Sequence, residues 1–539
     1  MKKIKFPLIL FTLLVAYILL NLPVFHDGLF HVYDNVHVTR LMAFSSELER
    51  GQFPVRYLDS FGWGAGYFLF TFYSPLIYYL GSFIHLLGFS FIKSIKLIYL
   101  LMTALGMGGS YLLLRSRFSR FASVLGTLAF AFSPYLYHDL FHRGTLTEAA
   151  AFLLLPFVFW ATIKLRESDS PRYLAITALF LSATILSHAL TGVMAIIASF
   201  LIYFLPPFRS PLRYLLSLSL SLSLSAFYLI PSLVYKDLVR YTDNSLVTRG
   251  YLDHPVPFFT QFFGSLNSPE KSAFLGLPLT IGFFIALFLF LRSPRYVSRY
   301  RFVASFSLIT LAVCFFIMDP ASGFLWSSLL SLRHVQFPFR FLSIAVVAGS
   351  ILYASLIDHF QKSRLVALSL ILLLVSPVFI YPLFYKPLGY QYTTDYRVED
   401  PCQTTAWADE HLSLWTSKCL TATPDLIQTL TGDISPKNLV VNDNGRTLTF
   451  DFSGRGQVQI GKYYFPHWVA FDATDTQLPL VPYGDSGLIM LDLTGAVSPV
   501  TVKLEDTRAE TIGNYLTLLS FALCLYIIGR STKNHENIT

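Results

Sequence analysis

Three short stretches of a largely apolar chain concentrate the residues able to move protons or hold an anion. HVYDNVHVTR, at 31–40, offers Asp34, with His37 and Arg40 one helical turn apart. A carboxylate can take a proton from an attacking hydroxyl, and a guanidinium can grip a phosphate. YHDLFHRGTLTEAAAF supplies His138, Asp139, His142, Arg143 and Glu148, and LRHVQFPFRFLS places Arg333, His334, Gln336 and Arg340 around Pro338. Arg56, in RGQFPVRYLDSFGWGAGY, adds a further cation. Each has a plainer reading. Local sequence favours Asp34 as a helix N-cap, Glu148 suits a helix N-terminus, and the arginines near 340 could snorkel to lipid phosphates. Capping does not explain His37 and Arg40. Nor does a helix dipole explain the whole 138–148 cluster, because ionisable groups at membrane depth usually face a cavity or one another. His138 and His142, spaced i,i+4, could bind zinc but lack a convincing third ligand.

The elements that must position these residues are mostly membrane helices. Of 539 residues, 54% are hydrophobic and only 13% charged, with a mean hydropathy of +0.55. Spans are expected near 6–24, 97–114, 121–137, 149–165, 173–189, 190–206, 214–231, 273–291, 302–318, 341–357, 365–384 and 511–529. The basic start followed by an apolar run, with no small-x-small site, reads as an uncleaved signal anchor with a cytoplasmic N-terminus. Basic residues then fall in every second loop, among them Arg115 to Arg120, Arg209 with Arg213, and Arg292 to Arg301, as the positive-inside rule requires. The formal charge of +8 is therefore topological, and no nucleic-acid partner is expected.

Counting 68–91 as a span would reverse that parity, so it is assigned to the outer interface, broken at Pro75 and Gly81. The parity puts the loops at 25–96, 138–148, 232–272 and 319–340 and a polar block at 385–510 outside, with both termini inside. After Asp34, Val38, Leu41, Met42 and Leu48 share one helical face, with Arg40, Ala43, Glu47 and Arg50 opposite, as in an interfacial helix. In the polar block, RTLTFDF, GQVQIGKYYF, GLIMLDL and VTVKLED alternate as strands of a sandwich-like domain, after a less regular stretch at 385–437. Cys402 and Cys419 are close enough in sequence to pair if that block is extracytoplasmic; the sequence alone leaves this open. The YLLSLSLSLSLSAFYL stripe reads as a helix-packing face of small residues. There is no Walker motif, Gly-rich phosphate loop or Ser–His–Asp pattern.

DNVHVTRL, GQFPVRY, GAGYFLFTFYSPLIYYL, RGTLTEAAAFLLLP, VQFPFRFL and YYFPHW together resemble the bacterial and archaeal 6-pyruvoyl-tetrahydropterin-synthase-related membrane proteins, neighbours of the YfhO-like proteins. More broadly the chain resembles the GT-C superfamily of glycosyltransferases. The pterin label implies no pterin chemistry, and the chain departs from the group's pattern at Phe68 and Phe339. The resemblance implies a polytopic α-helical membrane protein of about 12 spans, with a GT-C-like module at 1–384, a β-rich extracytoplasmic domain at 385–510, and a last helix with a cytoplasmic tail at 511–539. It implies inverting transfer of a sugar from a polyprenyl-phosphate donor to an envelope glycan, lipid or protein at the outer face of the plasma membrane. Asp34 takes the place of the first-loop acid and general base. Arg143 and Glu148 would shape the donor or acceptor site and Arg340 would hold the carrier phosphate, with His37, Arg40, Arg56, His138, Asp139, His142, His334 and Gln336 as further contacts. Mg2+ or Mn2+ could bind carboxylates from both loops, although many members using monophosphate donors need no metal. The alternatives are a flippase for lipid-linked glycans, which requires charges deep in several spans and some internal repeat, and a non-catalytic scaffold.

Overall fold

The computed structural model describes all residues except 1–5, 208, 241–254, 265–272, 330, 331, 333, 362, 364–388, 392–401, 406–408 and 537–539. Arg333 and the expected span 365–384 lie outside the described residues. After α1 (Phe6–Leu20) come β1 (Leu29–His31), α2 (His37–Glu49), α3 (Leu69–Phe72), α4 (Leu76–Leu86) and the long α5 (Phe91–Arg115). Next are α6 (Arg120–Ala131), α7 (Pro134–Tyr137), a π-helical turn over His138–Arg143, α8 (Leu146–Glu167), α9 (Arg172–Ser187) and α10 (Ala189–Phe204). The helical part continues with α11 (Pro211–Leu224), α12 (Ala226–Tyr235), α13 (Phe258–Phe263), α14 (Leu277–Arg292), α15 (Pro294–Met318), α16 (Gly323–Ser328) and α17 (Leu342–Phe360), and the chain closes on α18 (Arg508–Glu536).

Five of the described helices are long and apolar enough to cross a membrane, or six if α11 and α12 form one span. Shorter apolar helices fill the expected positions near 6–24, 121–137, 173–189, 190–206 and 273–291. The segment expected as a single span at 214–231 is bent by 74° between α11 and α12. Upstream of that bend the serine stripe packs as expected: Ser217 donates to the Leu174 carbonyl at 3.0 Å, and Ser182 and Ser225 hydroxyls meet at 2.8 Å. The apolar window of α8 is 89% buried and that of Pro338–Phe360 is fully buried, so these two form the centre of the bundle. That of α18 is only 17% buried and lies at its edge.

The 68–91 segment breaks at Pro75, between α3 and α4, but not at Gly81. Gly81 continues α4 and serves close packing instead. A Cβ there would stand 2.8 Å from Leu41 of α2 and 3.1 Å from Ile98 of α5.

The C-terminal region is a β-sandwich. After β2 (Gly389–Gln391), which pairs antiparallel with β1, come β3 (Ile427–Gly432), β4 (Ser435–Asn442), β5 (Thr447–Ser453), β6 (Gly456–Tyr463), β7 (Trp468–Phe471), β8 (Gln477–Leu478), β9 (Leu480–Tyr483), β10 (Leu488–Asp492) and β11 (Val500–Leu504). One sheet has the order β3-β6-β10-β9 and the other β4-β5-β11-β7-β8. Alternate residues from both sheets, including Val458, Ile460, Ile489, Leu448, Phe450 and Val502, bury one shared core. β3 and β4 emerge from the stretch expected to be irregular. Tyr57 and Phe68 of the first loop enter this same core, and Lys462 of β6 donates to Asp59 at 2.6 Å. Cys402 and Cys419 form a disulfide within the strip leading to the sandwich.

Candidate active site

The first and second loops meet through the backbone. Beyond β1, Tyr33 N–H donates to the His142 carbonyl (3.2 Å) and Asp34 N–H to the Arg143 carbonyl (2.9 Å), so Asp34 is laid along the π-turn. That turn ends at Gly144, whose φ of +70° is a left-handed conformation tolerated by glycine. Asp34 is not a helix cap. The N-cap of α2 is Val36, and no side chain caps it. Among the described residues the Asp34 carboxylate has no hydrogen-bond or ion-pair partner, and it borders a narrow open cleft with Leu29, Phe30, Ile95, Tyr99 and Gly144. Asp34 keeps open surface, but the surrounding protein mass pushes its carboxyl above the ordinary value, against the pull of Arg143 and Arg40.

Next to it lies a buried ionic cluster. Arg143 grips Glu148 with both terminal nitrogens (3.2 and 3.1 Å) and reaches Asp139 at 2.9 Å. Arg340, from the loop at 319–340, donates Nε to Glu148 at 3.0 Å and its Nη1 to the Val335 carbonyl and Gln336. Tyr135 also donates to Glu148, at 3.2 Å. The rings of Phe337 and Phe339 stack beside the two guanidiniums. Thr145 does not cap α8; it donates to Asp139. Burial and the Glu148 charge push the Asp139 carboxyl up, against Arg143. Burial works against charge on Arg143 too, but Glu148 and Asp139 outweigh it and raise its value.

His37 supplies the α8 cap that Thr145 does not. Its Nε2 accepts the Leu146 N–H at 3.2 Å, so the proton sits on Nδ1, which donates to Tyr78 Oη at 2.8 Å. Burial and then Arg40 hold the imidazole down to about 3, so it stays neutral.

Not every expected site residue converges here. The polar face of the expected interfacial helix α2 is covered at Arg40, which donates to the Thr405 hydroxyl and carbonyl (2.8 and 2.6 Å) and lies over Tyr73, while Arg50 stays exposed. Glu47, on the same face, is buried and accepts from the Asp59 N–H. Arg56 points away from Asp34, to Asn514 (2.7 Å), Glu510 (3.4 Å) and the Phe227 carbonyl (3.1 Å). That carbonyl is available because Pro231, four residues on, has no N–H to donate to it. His138 and His142 tilt against each other, with ring centroids 5.1 Å apart, and His142 packs on Tyr33. His334 stands near Lys236, and burial followed by that charge lowers its value. Tyr135, Tyr99 and Thr405 are contributors that the sequence reading missed. Tyr135 lies four residues before Asp139, a spacing that could have exposed it; an isolated tyrosine in an apolar run, such as Tyr99, gives no local signal.

Residues 70–383 match the family model described as the 6-pyruvoyl-tetrahydropterin synthase related domain, membrane protein. The chain belongs to this family. Two solved structures resemble this family member at low identity. One is the arabinofuranosyltransferase AftD from Mycobacteria (17% identity, TM-score 0.45, 71% of this chain and 27% of that one). The other is the Archaeoglobus fulgidus oligosaccharyltransferase in the apo form (15%, 0.47, 72% and 57%). The chain therefore spans about a quarter of the first and just over half of the second. No curated protein matches it.

Proposed function

We propose that this protein is a membrane glycosyltransferase of GT-C type, transferring a sugar from a polyprenyl-phosphate carrier to an envelope glycan, lipid or protein acceptor on the face that bears the β-sandwich. The observation that carries the reading is the unengaged Asp34 carboxylate, set at a cleft and within the field of Arg143, Arg40 and Arg340. Asp34 takes the proton of the acceptor hydroxyl as that oxygen attacks the anomeric carbon. The bond from that carbon to the carrier phosphate breaks with inversion, and the phosphate leaves with the bonding pair. Arg143 and Arg340, fixed by Glu148, place positive potential where this charge collects. Glu148 is thus a positioning residue, already saturated by Arg143, Arg340 and Tyr135.

The donor set here does not form a cage for a divalent cation. Glu148 is fully bonded, Asp139 is held through one oxygen by Arg143 and Thr145 with the other buried and unpartnered, and Asp34 is unengaged, but these two acids and a histidine do not come close enough together to share an ion. Among the described residues, the one His/Cys/Asp/Glu group tight enough to share an ion is Cys402, Asp409 and Cys419, whose sulfurs are bonded to each other. The proposed transfer therefore draws on no metal at these residues.

The test is transfer from a radiolabelled polyprenyl-phosphate sugar to membrane acceptors by the purified, reconstituted protein. Asp34→Asn is expected to lower the rate by about 10²- to 10⁴-fold, the range for loss of a general base. Unchanged transfer in this variant would remove the assignment, and lipid-linked sugar crossing the bilayer without transfer would favour the flippase.

A further inference from the structure

At the end of the bundle remote from Asp34, the ends of α5, α8, α10 and α15 bring together positive charge that the described residues neutralise only in part. Arg117 and Lys164 share one carboxylate, Glu167. The nearby acid Asp169 is taken by Arg213 at 3.0 Å. Among the described residues Arg166 donates only to neutral acceptors, the Leu205 and Pro207 carbonyls at 2.7 and 2.9 Å, and the Glu167 charge near it is the one already shared by Arg117 and Lys164. It has Arg117 and Arg209 as like-charged neighbours. Arg209 is exposed and, among the described residues, has no hydrogen-bond or ion-pair partner.

The arrangement is also fixed in place. Arg166 lies over the Phe302 ring at 4.2 Å and Arg117 over the same ring at 5.6 Å. The Nε atoms of both are buried without a hydrogen-bond partner. Charge that is partly desolvated, unpaired and set beside like charge is costly, and an external anion removes the cost. Guanidiniums held on an aromatic platform suit the oxygens of a phosphate, and the apolar stretch of α8 ends here, at the depth where headgroups lie.

We propose that Arg117, Arg166 and Arg209 form a headgroup site for an anionic phospholipid at this end of the bundle. The lipid phosphate supplies the missing counter-charge, docking across the ends of α8 and α10 with Arg209 closing over it. The site is independent of the transfer chemistry at Asp34.

The test is native mass spectrometry of the full-length protein in detergent, titrated with phosphatidylglycerol, phosphatidylcholine or inorganic phosphate. Phosphatidylglycerol is expected to bind more tightly than phosphatidylcholine. Arg209→Gln should weaken phosphatidylglycerol about fivefold and the double variant R166Q/R209Q about 25-fold, at the usual contribution of one basic residue near a lipid surface, with phosphatidylcholine unaffected. Among the described residues Arg209 makes no hydrogen bond or ion pair, so its variant tests the site even where R166Q, which also loses the Leu205 and Pro207 carbonyl contacts, fails to fold. Equal binding of the two lipids, or wild-type phosphatidylglycerol affinity in R209Q, would overturn the site. Displacement of the lipid by equimolar inorganic phosphate would overturn the lipid assignment in favour of a soluble phosphate.

Discussion

Asp34→Asn and Glu148→Gln remove the same charge at neighbouring positions of nearly equal size, yet they should behave differently as unfolding perturbations. The Asp34 carboxylate has no partner among the described residues, so neutralising it breaks no bond. Its effect on stability should fall within about 0.5 kcal/mol, as for a substitution away from any network. Glu148 accepts four hydrogen bonds, two from Arg143, one from Arg340 and one from Tyr135, and is 2% exposed. A glutamine retains the volume but leaves two arginines, 13% and 8% exposed, facing a neutral amide with one acceptor oxygen. Arg143 keeps Asp139 and Arg340 keeps the Val335 carbonyl, which moderates the loss. Breaking a buried pair costs about 3–5 kcal/mol, so a value near the lower end is expected. In a chain of this size that corresponds to a fall in the unfolding midpoint of about 3 °C, if the chain unfolds as one unit. Thermal unfolding of the detergent-solubilised variants, followed by intrinsic fluorescence, reads both. A drop for Asp34→Asn as large as that for Glu148→Gln would make Asp34 a structural group. No drop for Glu148→Gln would refute the claim that this carboxylate holds the arginines.

Two further outcomes follow from the same geometry. The rate of transfer should rise with pH through the titration of Asp34, whose crowded carboxyl lies above its ordinary value and acts only when deprotonated; Arg40→Gln, which removes a cation that lowers that value, should move this acid limb to higher pH, and a limb near pH 6–7 abolished by His37→Gln would contradict the neutral state of His37. Gly144→Ala should cost about 1–3 kcal/mol for the left-handed backbone, and because the new Cβ would meet Val32 at 2.1 Å it should also displace the strand leading to Asp34 and lower transfer, with wild-type values of both counting against this account.

Much of the helical part was legible because apolar runs of span length are a strong, local signal. The serine stripe was read as a packing face and packs as one. The four strands read by alternation reappear as β5, β6, β10 and β11. β3 and β4 were missed because most of their residues remain exposed, leaving no clear alternation. At the site, the proximity of Asp34 to the 138–148 cluster and of Arg340 to Glu148 depends on loops separated by about a hundred residues or more, and parity could give only a shared side. The polar face of α2 was misread for the same reason. Amphipathicity shows that a helix has two faces, but not that Thr405 covers Arg40 and the Asp59 N–H meets Glu47 on the polar one. Gly81 looked like a break because glycine weakens helices, whereas the close approach to Leu41 that requires it is a tertiary fact.

The first loop divides its side chains between two interiors. Val55, Leu58 and Phe61 pack into the core of the helical bundle, while Tyr57 and Phe68, from the same stretch of chain, pack into the sandwich. The sandwich is therefore not a detachable module. A chimera that exchanged it at the expected boundary of residue 385 would strip two aromatic side chains of their surroundings and leave Asp59 without Lys462. An effective swap of the sandwich must therefore carry this loop, more than three hundred residues earlier, along with it.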